Sequence, residues 1–201
     1  WKEPYIFLIR FLGLTWLIIL PLTPMRMRNT DSEAEAFTGR IQVVNSELSD
    51  LTGIEAFIHI TELYCFNNSL TDLDVSNNPE LITISCFGNS LTSLDVSNNP
   101  ALTSLTCSEN SLTSLDVTNC PALTNLSCSQ NLLTSLDVSN NPLLSFLTCT
   151  ENALPALDVT NNPALSSLSC YENSITFIDI SDNPLLTSIR CQLNALTGAD
   201  L

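Results

Sequence analysis

The sequence predicts a repeat solenoid, mainly β, in which each 21-residue coil lays one short parallel strand on each of two sides. Three observations carry this expectation. Cysteines recur without a slip at 65, 86, 107, 128, 149, 170 and 191, and aspartates at 74, 95, 116, 137, 158, 179 and 200. Each copy also splits into two similar halves, as in LTSLTCSENS (102–111) followed by LTSLDVTNCP (112–121). Finally, apolar and polar residues alternate with period two in Leu105-Thr106-Cys107 and Leu115-Asp116-Val117. That alternation turns Leu, Cys and Val inward and Thr106 and Asp116 outward.

The chain begins with a hydrophobic leader, residues 1–24, charged only at Lys2, Glu3 and Arg10. Its charge-free run, 11–22, is shorter than the roughly 20 residues that span a bilayer and has the size of a signal-peptide core. Lys2 and Arg10 precede it as a basic region would, so a secretion signal is the expected role. The competing readings are a signal anchor or a leader foreign to the mature protein. Arg26 and Arg28 follow the run, and the one A-x-A stretch, Ala34-Glu35-Ala36, lies far downstream among acids. Residues 25–40 read as a polar linker. Residues 41–59 read as an N-terminal cap: Leu48, Leu51, Ile54, Phe57 and Ile60 keep a three-residue beat, too fast for an α-helical face and wrong for a strand. Such a beat suits a tight lead-in turn.

Seven coils then fill residues 60–201, the last one truncated. Asparagines stand at 68, 89, 110, 131, 152, 173 and 194, just after each cysteine strand. Turned inward, such an amide bonds the backbone groups left free at a corner. A second series, Asn78, Asn99, Asn141, Asn162 and Asn183, is interrupted by Cys120, and each member is followed by proline. Proline fixes φ and stops the strand from running on. Strands spaced about 4.8 Å apart make seven coils a rod of about 34 Å. No coil buries its leucines alone, so stability is expected to come from stacking, with a polar cap or further repeats beyond Leu201.

The halves LxxLxCxxNx and LxxLDVxxNPx both fit the pattern L-x-x-L-x-L-x-x-N/C-x-L. The chain therefore resembles the leucine-rich repeat family over about residues 41–201. Within it, the resemblance is to the nested 21-residue class with paired half-repeats (the IRREKO type) of secreted Bacteroidetes proteins. The lead-in LSDLTGIEAFIHITELYC is similar to that of internalin-like repeats. The resemblance implies a scaffold fold and leaves function open.

Charge and side-chain inventory narrow the function classes. The net charge is −15, and from Ile60 onward there are 14 acids and one base, Arg190. Such a body repels phosphate backbones, so nucleic acid is not an expected partner, and a membrane is met only through the leader. No C-x-x-C pair suggests zinc, and in-register parallel cysteines aim alike, a poor disulfide geometry, so the cysteine column is expected to be small apolar filler. There is a single histidine, His59, and neither a nucleophile–base spacing nor a glycine-rich phosphate loop. The expectation is a non-enzyme with no cofactor and no metal.

Two outward arrays remain as candidates. The acid column Asp74, Asp95, Asp116, Asp137, Asp158 and Asp179 is a candidate for a cation or a basic partner, or is simply solvated; mutual repulsion is expected to raise some of its pKa values. On the other strand face, Tyr64, Phe66 and Phe87 form a candidate aromatic patch unless the N-terminal cap covers them, Thr106, Ser108, Thr148 and Thr150 form a hydroxyl array, and Tyr171 closes the row. The function expected is a protein-binding or adhesion scaffold outside the cell, with a protein or glycan ligand, as a monomer or part of a longer chain. The alternatives are binding of a lattice such as ice, or of a glycan surface, by the Ser/Thr columns, and a structural spacer in a larger surface protein. If the leader is not native, the location becomes cytoplasmic.

Overall fold

The structure, a computed structural model, describes residues 5–11, 14–20 and 34–200, with side chains over 34–197. Residues 21–33, which hold the end of the leader and most of the polar linker, lie outside the described residues. In the leader, β1 (Tyr5–Phe11) pairs antiparallel with β2 (Leu14–Leu20), Tyr5 opposite Leu20 and Phe11 opposite Leu14. Among the described residues no helix is long and apolar enough to cross a membrane.

The body is the expected solenoid. Strands β3 (Thr38–Gln42), β4 (His59–Tyr64), β5 (Thr83–Ser85), β6 (Ser104–Thr106), β7 (Asn125–Ser127), β8 (Phe146–Thr148), β9 (Ser167–Ser169) and β11 (Ser188–Arg190) form one eight-stranded parallel sheet, each beside the strand of the next coil. The register is the sequence period itself: Leu105 faces Leu126, which faces Leu147, which faces Leu168. At β3 the register shifts between Gly39 and Arg40, so the sheet begins within the last residues of the polar stretch.

Along the second side the ladder is sparser. Among the described residues, pairing there is confined to the bridge Asp95↔Asp116 and to β10 (Phe177–Asp179) with β12 (Gly198–Asp200). Each aspartate from Asp74 to Asp179 takes the backbone N–H of the residue two places on, as Ser97 N donates to Asp95 Oδ1 at 2.9 Å, so the chain bends directly after it in coils that pair and in coils that do not.

The three-residue beat of the lead-in becomes a 3₁₀ turn, Ile54–Ala56, preceded by Gly53 at φ 109°. A 3₁₀ helix has three residues per turn, so residues three apart share one face. Of the beat, Leu48, Ile54, Phe57 and Ile60 are buried and Leu51 half-buried, with Ile54 the one member inside the turn itself.

Between the two sides lies a continuous core of stacked Leu, Val and Cys rows, most of them fully buried. All seven column cysteines and Cys120 are free thiols. The corners are closed by amides. Asn110 Nδ2 donates to the carbonyls of Cys86 and Cys107, both at 3.1 Å, while its Oδ1 accepts Leu91 N–H at 3.0 Å. At the opposite corner Asn99 Nδ2 donates to Val75 O at 3.1 Å and Asn78 O at 2.9 Å. Cys120 stands in this second series with only a thiol, Sγ 3.6 Å from Val96 O and 3.8 Å from Asn99 O.

Candidate functional site

Period-two alternation in the sheet strands sends three columns of side chains outward, and these columns form the broad face of the rod. The first runs Glu62, Thr83, Ser104, Asn125, Phe146, Ser167, Ser188; the second holds Tyr64, Thr106 and Thr148; the third holds Phe66, Phe87, Ser108, Thr150 and Tyr171.

The aromatic candidates at the N-terminal end are engaged with their own neighbours. Phe66 and Phe87 stack nearly parallel, centroids 4.6 Å apart at 10°. Tyr64 lies under the Arg40 guanidinium, 4.7 Å from the ring centroid, and Arg40 Nε donates to Glu62 Oε2 at 2.7 Å. All three rings are half-buried. The cap strand β3 thus covers Tyr64 in part, and each Phe has one face closed by the other.

Two of the hydroxyl candidates, Ser108 and Thr148, are tied to serines of the neighbouring coil. Ser108 and Ser127 hydroxyls meet at 2.7 Å, and Ser129 and Thr148 hydroxyls at 3.0 Å. Ser129 N donates to Ser108 Oγ and Thr150 N to Ser129 Oγ, each at 3.1 Å. Thr106, Ser108, Thr148 and Tyr171 are half-buried, and Thr150 is buried at 5% exposure.

The most exposed aromatic of this face lies in the column that sequence reasoning passed over. Phe146 opens β8 and is 52% exposed, beside Leu143 at 54%; Leu185 projects two coils further at 58%. The signal was available, because the alternation that sends Thr148 outward sends Phe146 outward too.

The acid column Asp74, Asp95, Asp116, Asp137 and Asp158 is exposed and Asp179 half-exposed, as expected, but the expected rise in pKa is reversed. Asp116 Oδ1 accepts Thr118 N–H at 2.9 Å and Thr118 Oγ1–H at 2.7 Å. The same hydrogen bonds from Ser or Thr two residues on hold all six carboxyls below their usual range. Repulsion between neighbours is present at Asp74, Asp116 and Asp158 and is outweighed. Two hydrogen bonds at under 3 Å act on the charge directly, whereas like charges a coil apart are screened by water. Among the described residues no three His, Cys, Asp or Glu side chains converge as a metal site requires. His59 is exposed, its Nδ1 2.7 Å from Glu80 Oε1.

From β4 onward the corner after each sheet strand carries one residue in the left-handed region: Asn67, Gly88, Glu109, Gln130, Glu151, Glu172 and Leu193, at φ between 52° and 65°. Three of the seven are glutamates, and Gln130 Nε2 donates to both Glu151 carboxylate oxygens at 3.0 Å.

Comparison with known proteins bears on the fold. A family model of the leucine-rich repeat domain of the endo-β-N-acetylglucosaminidase EndoS matches residues 25–162. No curated protein sequence matches the chain. Similar solved structures include internalin C2 of Listeria monocytogenes, 18% identical, with 84% of this chain and 76% of that one covered and a TM-score of 0.77. The internalin InlF of the same organism is 21% identical at TM-score 0.69, over 80% of this chain and 53% of its own. A leucine-rich repeat protein of Leptospira interrogans is 21% identical at TM-score 0.73, over 79% of this chain and 44% of its own. The chain therefore spans about half the length of InlF, and at these identities the likeness is one of fold.

Proposed function

The chain belongs to the leucine-rich repeat family whose EndoS domain model it matches over residues 25–162, and from that premise we propose a non-enzymatic binding scaffold, displayed outside the cell, that engages a protein through its sheet face. The observation that carries the reading is Phe146, 52% exposed in the middle of a sheet of mostly small polar side chains, with Leu143 at 54% three residues before it. Adjacent large apolar side chains left in water are costly unless a partner covers them. A spacer has no use for such a pair. The paired hydroxyls of Ser108, Ser127, Ser129 and Thr148 favour a protein ligand over a lattice or glycan surface, since much of their hydrogen-bonding capacity is spent within the sheet. The leader, with Lys2 and Arg10 ahead of an apolar core, supports export.

The test is a selection of displayed 12-residue random peptides on immobilised protein, with binders re-measured on Phe146→Ser and Leu143→Ser variants whose circular dichroism matches the parent. Loss of binding by at least tenfold is expected for both. Binders indifferent to both changes place recognition elsewhere and sink the reading.

A further inference from the structure

The two borders of the sheet face differ in chemistry, and the difference selects a partner. Ahead of the strands runs a border of Pro79-Glu80, Pro100-Ala101, Pro121-Ala122, Pro142-Leu143, Pro163-Ala164 and Pro184-Leu185, which carries no charge past Glu80. Beyond the strands runs the left-handed corner, where Glu109, Gln130, Glu151 and Glu172 stand one per coil. Coils repeat at about 4.8 Å, so this border is a closely spaced row of carboxylates with a glutamine in one place. Among the described residues the ion pairs are Arg40–Glu62 and His59–Glu80, both at the N-terminal end, and neither touches the row. Within the coils the only basic residue is Arg190.

We propose that the sheet face takes a protein segment that is apolar where it covers Leu143 and Phe146 and carries Lys or Arg where it crosses the corner of Glu151 and Glu172. This rests on the sheet-face reading above and names the partner's chemistry. Phe146 and Glu151 are five residues apart on one coil with the corner between them, so the partner's apolar and basic groups sit less than about 15 Å apart. Charge complementarity decides among occupants. A second copy carries the same −15 and would bring one acid row against another. A nucleic acid meets the row with like charge. The Asp column stands on the second side of the rod, outside the sheet that holds Phe146, so a segment seated on Phe146 meets the corner acids instead, among which Glu151 already accepts Gln130 Nε2 on both oxygens. Across the sheet the side chains are small, Thr148, Ser167 and Ser169, and leave room for an extended chain.

The displayed-peptide selection separates this proposal from the one beneath it. Recovered peptides should combine an aromatic or aliphatic residue with at least two Lys or Arg. Raising NaCl from 50 to 500 mM should weaken them at least fivefold. A Glu151→Gln/Glu172→Gln variant should lose about fivefold affinity and most of the salt dependence, with Phe146→Ser losing at least tenfold. Peptides without basic residues that still require Phe146 would leave the sheet face standing and overturn its basic partner. Peptides indifferent to Phe146 and Leu143, or no binder at all, would overturn both.

Discussion

Asn141 donates an Nδ2 hydrogen to the Cys120 carbonyl at 2.8 Å and the other to Val117 O at 3.0 Å, so the amide of one coil seals the corner of the coil before it. One coil earlier, Cys120 meets the same two carbonyl positions with a single weak S–H. The corner ladder is therefore strong at Asn141 and thin at Cys120.

Asn141→Ala should cost about 2–4 kcal/mol, because two buried carbonyls lose their donors. Cys120→Asn should add about 1 kcal/mol and raise the midpoint by about 2–4 °C, since it extends the ladder through its one gap. Thermal melts read both. A Cys120→Asn protein that melts well below the parent would show that the corner is shaped around sulfur.

Acid should destabilise the rod through the Asp column. The folded carboxyls sit below their usual pKa, held by N–H and hydroxyl donors two residues on, so the unfolded chain takes up protons first as pH falls. The stabilisation is complete above about pH 4 and is lost as pH drops through the lowered values. Urea midpoints measured from pH 6 to pH 2.5 should decline below about pH 4. Asp116→Asn, which keeps the acceptor without the titration, should flatten part of that decline. A midpoint that rises on acidification would mean that repulsion along the column governs after all.

The left-handed corner offers a third measurement. Glu109 holds φ 55° and Gly88 φ 65° at equivalent places. A side chain in this region costs about 1 kcal/mol relative to glycine, offset in part by glycine's greater freedom when unfolded. Glu109→Gly should gain about 0.5–1 kcal/mol and Gly88→Ala should lose about 1 kcal/mol, the latter also displacing the Asn67 side chain that lies against it. Opposite signs in the two melts are the expected result. Equal signs would remove backbone strain as the cause.

Thiol chemistry tests the core. Burial pushes Cys65 and Cys128 up to about 12, and Cys86, Cys107 and Cys149 well above the ordinary thiol value, whereas Cys191 is half-exposed at the last described coil. Iodoacetamide at pH 8 should label Cys191 first in the native protein, with the other seven released only on unfolding. Tandem mass spectrometry of fragments cut ahead of aspartate, which recurs once per coil, distinguishes them. Early labelling of Cys107 or Cys128 would indicate that the coils separate locally.

The sequence by itself determined the coil. A period of 21 residues held through seven copies leaves no freedom in strand register, in which residues enter the core, or in where the corner amides stand, because a one-residue slip would turn every leucine outward. That is why the inward Leu, Val and Cys and the bonding role of Asn110 and Asn99 were legible in advance. The tertiary structure decided what the outer surface offers, because a side chain's exposure is set by coils 21 residues away and by hydrogen bonds that a pattern does not encode. Thr150 is buried and Phe146 exposed although both lie on outward columns of one coil. Phe66 and Phe87 close on each other, and Thr118 and its equivalents turn a column of repelling aspartates into one that ionises more readily. Stacking fixes the frame, and local contacts between neighbouring coils fix the face.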